Sequence, residues 1–335
     1  MKRVLAVLLS SAVTASSIIS GPQCALAATN IRVDNINIGI GSVFGSADEE
    51  SSGVIQSFFK ALFGLDQGAV DAFIEDKTKE DDSDKAEKTA INESDKDKVY
   101  QVALLQSLTL GQYDGVITVE ELKKHGDIGI GTYEGVNGEM IYLDGEMYQA
   151  LGDGSVVIAD ESETVPFATV AYFDKDDEVK DVKVESLDEM KEKLNKIVKD
   201  NGSNQFYFIK AEGTYEDMQV RSELKQEKPY KTLDEALKTD QREFEYKDVD
   251  GTLVAIYFPE YFSTLNTPGW HFHFISDDKS MGGHVLDLSN FEGDIKVSEM
   301  NQFEMYCPDT DTFNDEDLSV DQSERIKSVE QDKQQ

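Results

Sequence analysis

Three of the four histidines in this 335-residue chain fall within residues 270–284, in the run WHFHFISDDKSMGGH. A strand has a two-residue period, so His271 and His273 project from the same face. Residues 276–283 are polar and glycine-bearing, which is the composition of a hairpin connection. His284 then opens a second apolar run, HVLDL, that can return to face the first two. Three neutral imidazoles converging on one point make the kind of metal site used in catalysis, with positions left open for substrate. Histidine pairs in strands also occur as packed aromatics. Here the run HFHFI is apolar on both faces, so the strand is expected to be buried. Several buried imidazoles without a partner are costly, and a metal ion supplies that partner.

The start of the chain reads as a processing segment. Lys2 and Arg3 precede a mostly apolar stretch over residues 4–19, and Ala25-Leu26-Ala27 is a small-x-small cleavage site. A signal peptide over residues 1–27 is expected, which would place the mature protein outside the cell or on the cell-envelope exterior. The apolar run is too short and too interrupted for a membrane anchor. Gly21-Pro22-Gln23 before Cys24 does not form a lipobox. With Cys24 removed, Cys307 is the one thiol left, so no internal disulfide forms, and Cys307 is expected to be a semi-buried structural residue. The chain carries 32 basic and 67 acidic residues, a net charge of −35. That excludes nucleic acid and anionic membrane surfaces as partners. An anionic substrate would need a local cation to overcome this field.

Residues 28–98 read as an acidic, partly disordered extension. Residues 29–47 are weakly patterned, and residues 53–73 have an apolar spacing near that of an amphipathic helix. Residues 71–98 hold eleven acids and six lysines, the composition of a solvated linker. The ordered body begins near Val99 with an expected apolar helix ending near Gly111. A short helix over 119–125 follows, and then a meander over 128–134, 138–143, 146–151 and 155–158. Its Asn137-Gly138, Asp144-Gly145 and Asp153-Gly154 pairs are hairpin-turn signals. Further strands are expected at 167–173, 206–215, 218–224, 244–246 and 253–258, then the histidine hairpin and 291–305. Helices are expected at 187–199 and 232–238, with a polar helix or tail over 317–335. Many strands and few helices imply an α+β protein with two sheet-based α/β lobes, at residues 99–200 and 201–335, whose sheets are mixed or antiparallel.

From Val99 to about Glu330 the chain resembles the α-acetolactate decarboxylase family. The resemblance is carried by GQYDG at 111–115, HGDIGIGT at 125–132, Gly138-Glu139-Met140, Val220-Arg221, Lys228-Pro229-Tyr230, PGWHFHFI at 268–275 and Gly282-Gly283-His284-Val285. Their joint order and spacing are specific where single motifs are weak. The resemblance implies two α/β lobes with a metal between them, zinc or another divalent transition ion, in a homodimer. It implies His271, His273 and His284 as ligands, approached by two glutamates. The first is Glu139, which ends the segment from Thr132 to Glu139 and follows Gly138. The second lies near the C-terminus, where Glu330 fits and Glu324 is the rival. It places the catalytic arginine at Arg221 and a substrate contact at Thr132.

Read without the resemblance, each of these residues has an ordinary alternative. Glu139 would be a surface acid in an alternating strand, Arg221 a surface ion pair and Glu330 part of a frayed tail. Trp270 would be core, and His125, apart from the cluster, structural or exposed. Read with it, the chemistry is decarboxylation of 2-acetolactate to acetoin and carbon dioxide, with Arg221 as a guanidinium fork on the carboxylate. Glu139 or Glu330 would return the proton. No dinucleotide, P-loop or Schiff-base motif is present. A secreted zinc hydrolase using the three-histidine site is the alternative function, though no HExxH helix is present. A metal-binding module without catalysis is the third, and it would not need Arg221 and Glu139.

Overall fold

The computed structural model describes residues 26–33, 36–43 and 95–330. The chain divides into two compact units, Met1–Lys88 and Thr89–Gln335. In the first, β1 (Leu26–Val33) and β2 (Ile36–Val43) pair antiparallel in register from Leu26↔Val43 to Val33↔Ile36. Residues 29–47 were expected to be weakly patterned, yet ATNIRVDNINIGIG alternates apolar with polar or small residues on both sides of Asp34-Asn35, a composition that suits a hairpin. The expected signal segment up to residue 25, the amphipathic helix at 53–73 and the acidic run up to residue 94 lie outside the described residues.

The second unit opens with β3 (Lys98–Val102), α1 (Leu105–Thr109), β4 (Ile117–Thr118) and α2 (Val119–Leu122). The meander follows as β5 (Ile128–Thr132), β6 (Glu139–Leu143), β7 (Glu146–Ala150) and β8 (Val156–Ile158), then β9 (Thr164–Val165) and β10 (Phe167–Ala171). The chain continues through β11 (Asp177–Ser186), α3 (Leu187–Asn201), β12 (Phe206–Glu223), α4 (Leu233–Asp240), β13 (Gln241–Phe258), β14 (Gly269–Ser276) and β15 (Gly282–Met300). It ends with β16 (Gln302–Tyr306), α5 (Asp311–Asp315) and α6 (Ser323–Glu330).

These strands build a seven-stranded sheet, in the order β16-β3-β10-β5-β6-β7-β8, and a five-stranded sheet, in the order β11-β15-β12-β13-β14. β14 also pairs with the start of β15, so the five-stranded sheet closes on itself at the histidine end. The sheets share one apolar layer: Ile128, Ile130 and Ile141 of the first meet Phe208, Val254 and Ile275 of the second. α3 covers the far face of the five-stranded sheet through Leu187, Met190, Leu194 and Val198, a face spaced at helical period and capped by the Ser186 hydroxyl. Polar ties cross between the sheets. The Ser222 hydroxyl donates to the Ala150 carbonyl at 2.6 Å, His273 Nδ1 lies 2.8 Å from the Met140 carbonyl, and Lys210 pairs with Asp144.

Four sequence-based expectations are corrected here. The helix expected from Val99 is a strand, β3, followed after Ala103 (φ +58°) by the short helix α1. β3 lies between β10 and β16, and pairing on both edges overrides its weak helical pattern. The pairs of strands expected at 206–215 and 218–224, and at 244–246 and 253–258, are the single long strands β12 and β13. Their polar or glycine-bearing middles are irregularities within continuous strands, with Asp248 at φ +48°. β11, whose charges are interrupted by Val179, Val182 and Val184, edges the five-stranded sheet. β11 and α3 therefore join the second sheet, and β16 returns to the first, across the expected division at residue 200. Cys307 is exposed, one residue beyond the end of β16.

A row of three glycines crosses the five-stranded sheet: Gly251 pairs with Gly213, and Gly213 with Gly293. A Cβ on Gly213 would lie 2.2 Å from the Glu292 carbonyl oxygen, and one on Gly293 would lie 2.1 Å from that of Glu212. The three backbones run too close for a side chain. Gly213→Ala should lower unfolding stability by about 1–3 kcal/mol, a typical cost of overpacking. Urea denaturation of the variant checks this, and an unchanged midpoint would show that the strands can separate freely at this row.

Candidate metal centre and its carboxylate neighbours

His271 and His273 project together from β14, and His273 stands directly opposite His284 on β15. His284 is in turn opposite Arg221 on β12. The hairpin thus brings all three imidazoles to one point, where their nearest ligand atoms lie within 4.8 Å of one another. All three are buried, between 1% and 8% exposed. Burial, followed by the nearby Arg221 guanidinium, pushes His271 down to about 3. Burial likewise holds His273 and His284 well below the usual imidazole range. The rings are therefore neutral, the form a metal ion requires.

Two acids complete the cluster. Glu330 Oε2 lies 3.2 Å from His271 Nε2 and 3.8 Å from His284 Nδ1, while Glu139 Oε2 lies 3.5 Å from His273 Nε2. His271 Nε2 and His284 Nδ1 are 3.0 Å apart. Ligand atoms at about 2.0–2.1 Å from a tetrahedral ion stand roughly 3.3 Å from each other, close to these four contacts of 3.0–3.8 Å. His273 Nε2 is buried without a hydrogen-bond partner and faces this same point. Its Nδ1 is engaged with the Met140 carbonyl, which fixes the ring with Nε2 turned inward. An orphaned imidazole nitrogen beside two other imidazoles and two carboxylates fits a divalent transition ion.

The residues expected from the sequence meet at this point, and the rival does not. Glu324 is 93% exposed at its side chain, whereas the Glu330 side chain is 6% exposed. Ile326 and Val329 anchor one face of α6 among Leu105, Leu108, Leu233 and Leu237, and Glu330 continues that face to the histidines. Thr132 and Glu139 are directly opposed on β5 and β6, and the Thr132 hydroxyl donates to the Gly138 carbonyl at 2.8 Å. That bond holds the turn preceding Glu139. His125 stands apart, stacked on Tyr100 at 3.7 Å. Trp270 packs in the core and donates its indole N–H to Asn195 at 2.9 Å.

Arg221 is the fixed cation of the cluster. It is 3% exposed, with Nη2 at 3.9 Å from Glu330 and Nε at 3.6 Å from Glu223. Glu223 was not expected from the sequence. Its signal was available in the Arg-Ser-Glu triplet, because period two puts Arg221 and Glu223 on one face. The Glu223 and Glu139 side chains are hydrogen-bonded to each other. Burial raises Glu139, Glu223 and Glu330 above the usual carboxylate range, Glu139 most strongly, and Arg221 opposes the shift in all three. A cavity of about 30 Å³ lies among Thr132, Glu139, Arg221, Glu223, His273 and Glu330. Arg221 and Glu330 also border a second cavity of about 420 Å³, which reaches His284, Trp270 and Lys191.

The sequence profile of the family described as alpha-acetolactate decarboxylase matches residues 99–320. The chain belongs to this family. An alpha-acetolactate decarboxylase from Methanosarcina mazei is 40% identical over 240 residues, 72% of this chain and 82% of the relative. One from Brevibacillus brevis is 34% identical over 244 residues, 73% and 85% of the two chains. The crystal structure of the Bacillus subtilis strain 168 alpha-acetolactate decarboxylase superposes with a TM-score of 0.67 at 32% identity, covering 70% of this chain and 99% of that one. Glu330 lies beyond the end of the profile match, so its place in the centre rests on geometry.

His273→Ala should abolish stoichiometric metal binding, since two histidines and a carboxylate on a terminal helix are a poor cage for an ion. Elemental analysis of the purified protein measures this directly. Full occupancy in the variant would mean that His273 is not a ligand.

Proposed function

We propose that this protein decarboxylates 2-acetolactate to acetoin and carbon dioxide at the three-histidine centre, with Arg221 holding the carboxylate that leaves. The observation that carries this is a buried guanidinium placed beside three imidazoles and three carboxyl groups in a chain of net charge −35. An anionic substrate needs a dedicated cation in such a field, and among the described residues Arg221 is the only arginine or lysine bordering the smaller cavity. His271, His273 and His284 would hold the ion, with Glu139 and Glu330 beside it. When bound, the ion, for which we favour zinc, supplies Lewis-acid stabilisation of the electrons left behind by carbon dioxide.

The protein's own groups supply the rest. Arg221 presents a planar fork that matches a carboxylate in two places and fixes its torsion. A carboxylate held perpendicular to the neighbouring carbonyl plane lets the breaking bond feed its electrons into that carbonyl. The carbon it leaves must then receive a proton. Glu139, held well above the usual carboxylate range by burial, faces the centre through its contact with His273 and is the first candidate donor. Glu330, beside His271 and His284, is the second candidate donor. Thr132 borders the same cavity, where it would contact the substrate.

The wider setting is read from sequence. The basic start, apolar run and Ala25-Leu26-Ala27 site support export through a signal peptide, and the family resemblance supports a homodimer. N-terminal sequencing of the mature protein and sedimentation at two concentrations test these two points.

Two measurements test the activity. Metal-depleted protein should form no acetoin from 2-acetolactate and regain activity on remetallation, while hydrolysing neither peptides nor esters; robust ester hydrolysis would favour the hydrolase reading. Arg221→Lys should keep its metal but lose turnover by on the order of 10²-fold or more, the scale of a misplaced substrate clamp. Near wild-type turnover in that variant would assign the carboxylate to another group.

A further inference from the structure

Glu223 is buried beside Arg221, yet the decarboxylation step gives it no task. Each nitrogen of the Arg221 guanidinium faces a different oxygen. Nε faces Glu223 Oε1 at 3.6 Å, Nη1 faces Gln241 Oε1 at 3.5 Å, and Nη2 faces Glu330 Oε2 at 3.9 Å. Charge-assisted hydrogen bonds to a guanidinium run to about 2.7–2.9 Å, so none of the three contacts saturates its donor. Nε has no hydrogen-bond partner among the described residues. The group is oriented while its donors stay free for a substrate.

Of the three oxygens, that of Glu330 is shared with His271, 3.2 Å away. Glu223 and Gln241 are the two that belong to the arginine rather than to the imidazoles. They sit directly opposite each other on β12 and β13. The Gln241 amide N–H donates to Glu243 Oε1 at 2.9 Å, which turns the amide oxygen toward Arg221. Between Arg221 and Glu223, the Ser222 side chain ties the strand to the Ala150 carbonyl of the other sheet. The backbone that carries the pair is therefore pinned.

We propose that Glu223 and Gln241 are positioning residues that hold the plane of the Arg221 guanidinium for bidentate capture of the substrate carboxylate. This rests on the reading of Arg221 as the carboxylate clamp. Glu223 borders the smaller cavity, and the role assigned to it is exerted through the arginine. A lysine at 221 could not use either neighbour in this way, because an ammonium has no plane to set.

The test compares two inhibitors of the full-length, metal-loaded enzyme: 2-hydroxyisobutyrate, which carries a carboxylate, and acetoin, which carries none. Glu223→Leu should weaken 2-hydroxyisobutyrate inhibition by roughly tenfold, the scale of one lost charge-assisted contact. Inhibition by acetoin and metal content should stay near wild type. Glu223→Gln, which keeps an oxygen acceptor at the same reach, should recover most of the loss. A general structural defect would weaken both inhibitors together, and that outcome overturns the proposal, as does no change in either. Should Glu223→Leu fail to fold, Gln241→Leu, at a half-buried position, carries the same expectation. A wild-type protein that forms no acetoin sinks the functional reading and this inference with it. An active wild type whose two inhibition constants do not separate in the variants sinks this inference alone.

Discussion

The constraint on which this structure turns is desolvation. One arginine, three carboxyl groups and three imidazoles share a space almost closed to water. Burial disfavours charge on every one of them, so the carboxyls rise and the imidazoles fall in proton affinity. Arg221 opposes the carboxyl shifts and adds to the imidazole shifts. The cluster therefore sets neutral imidazoles and carboxyl groups of raised proton affinity around a fixed cation. Removing one member would leave its neighbours buried without compensation, which is costly.

Such a cluster persists because its members are carried on strands that cannot yield independently. β14 lies between β13 and the start of β15, and β12 lies between β13 and β15. His271, His273, His284, Arg221 and Glu223 are thus fixed within one hydrogen-bonded network. Glu139 arrives from the other sheet, and the His273–Met140 and Ser222–Ala150 contacts set the distance between the two. Glu330 closes the site from a helix held by only two buried side chains, Ile326 and Val329.

The same arrangement answers the charge problem raised by the composition. A chain with twice as many acids as bases repels an anionic substrate at long range. Salt shortens the range of that repulsion to a Debye length of about 8–10 Å, so a local cation near the ion decides the outcome. Arg221 borders both cavities, the small one against the imidazoles and the larger one reaching Lys191 and Trp270. In the proposed reaction its orientation is the point at which substrate binding and catalysis meet.

The histidine hairpin, the meander and the helix beginning at Leu187 were legible in the sequence, because period-two and period-3.6 patterns and Asn-Gly or Asp-Gly turns act locally. So was the grouping of His271 with His273, since two histidines two residues apart on a strand share a face in any fold. Other features depended on neighbours distant in the chain. β3 became a strand because β10 and β16 pair with it, and β11 because β15 lies beside it. Glu330 could be told from Glu324 only once Ile326 and Val329 were seen to be buried. Glu223 passed as one acid among many until β12 was folded against Glu139. Local pattern determines which residues share a face. Only tertiary packing decides which faces meet and lose their water, and it is that loss which turns an acid or an arginine into part of a site.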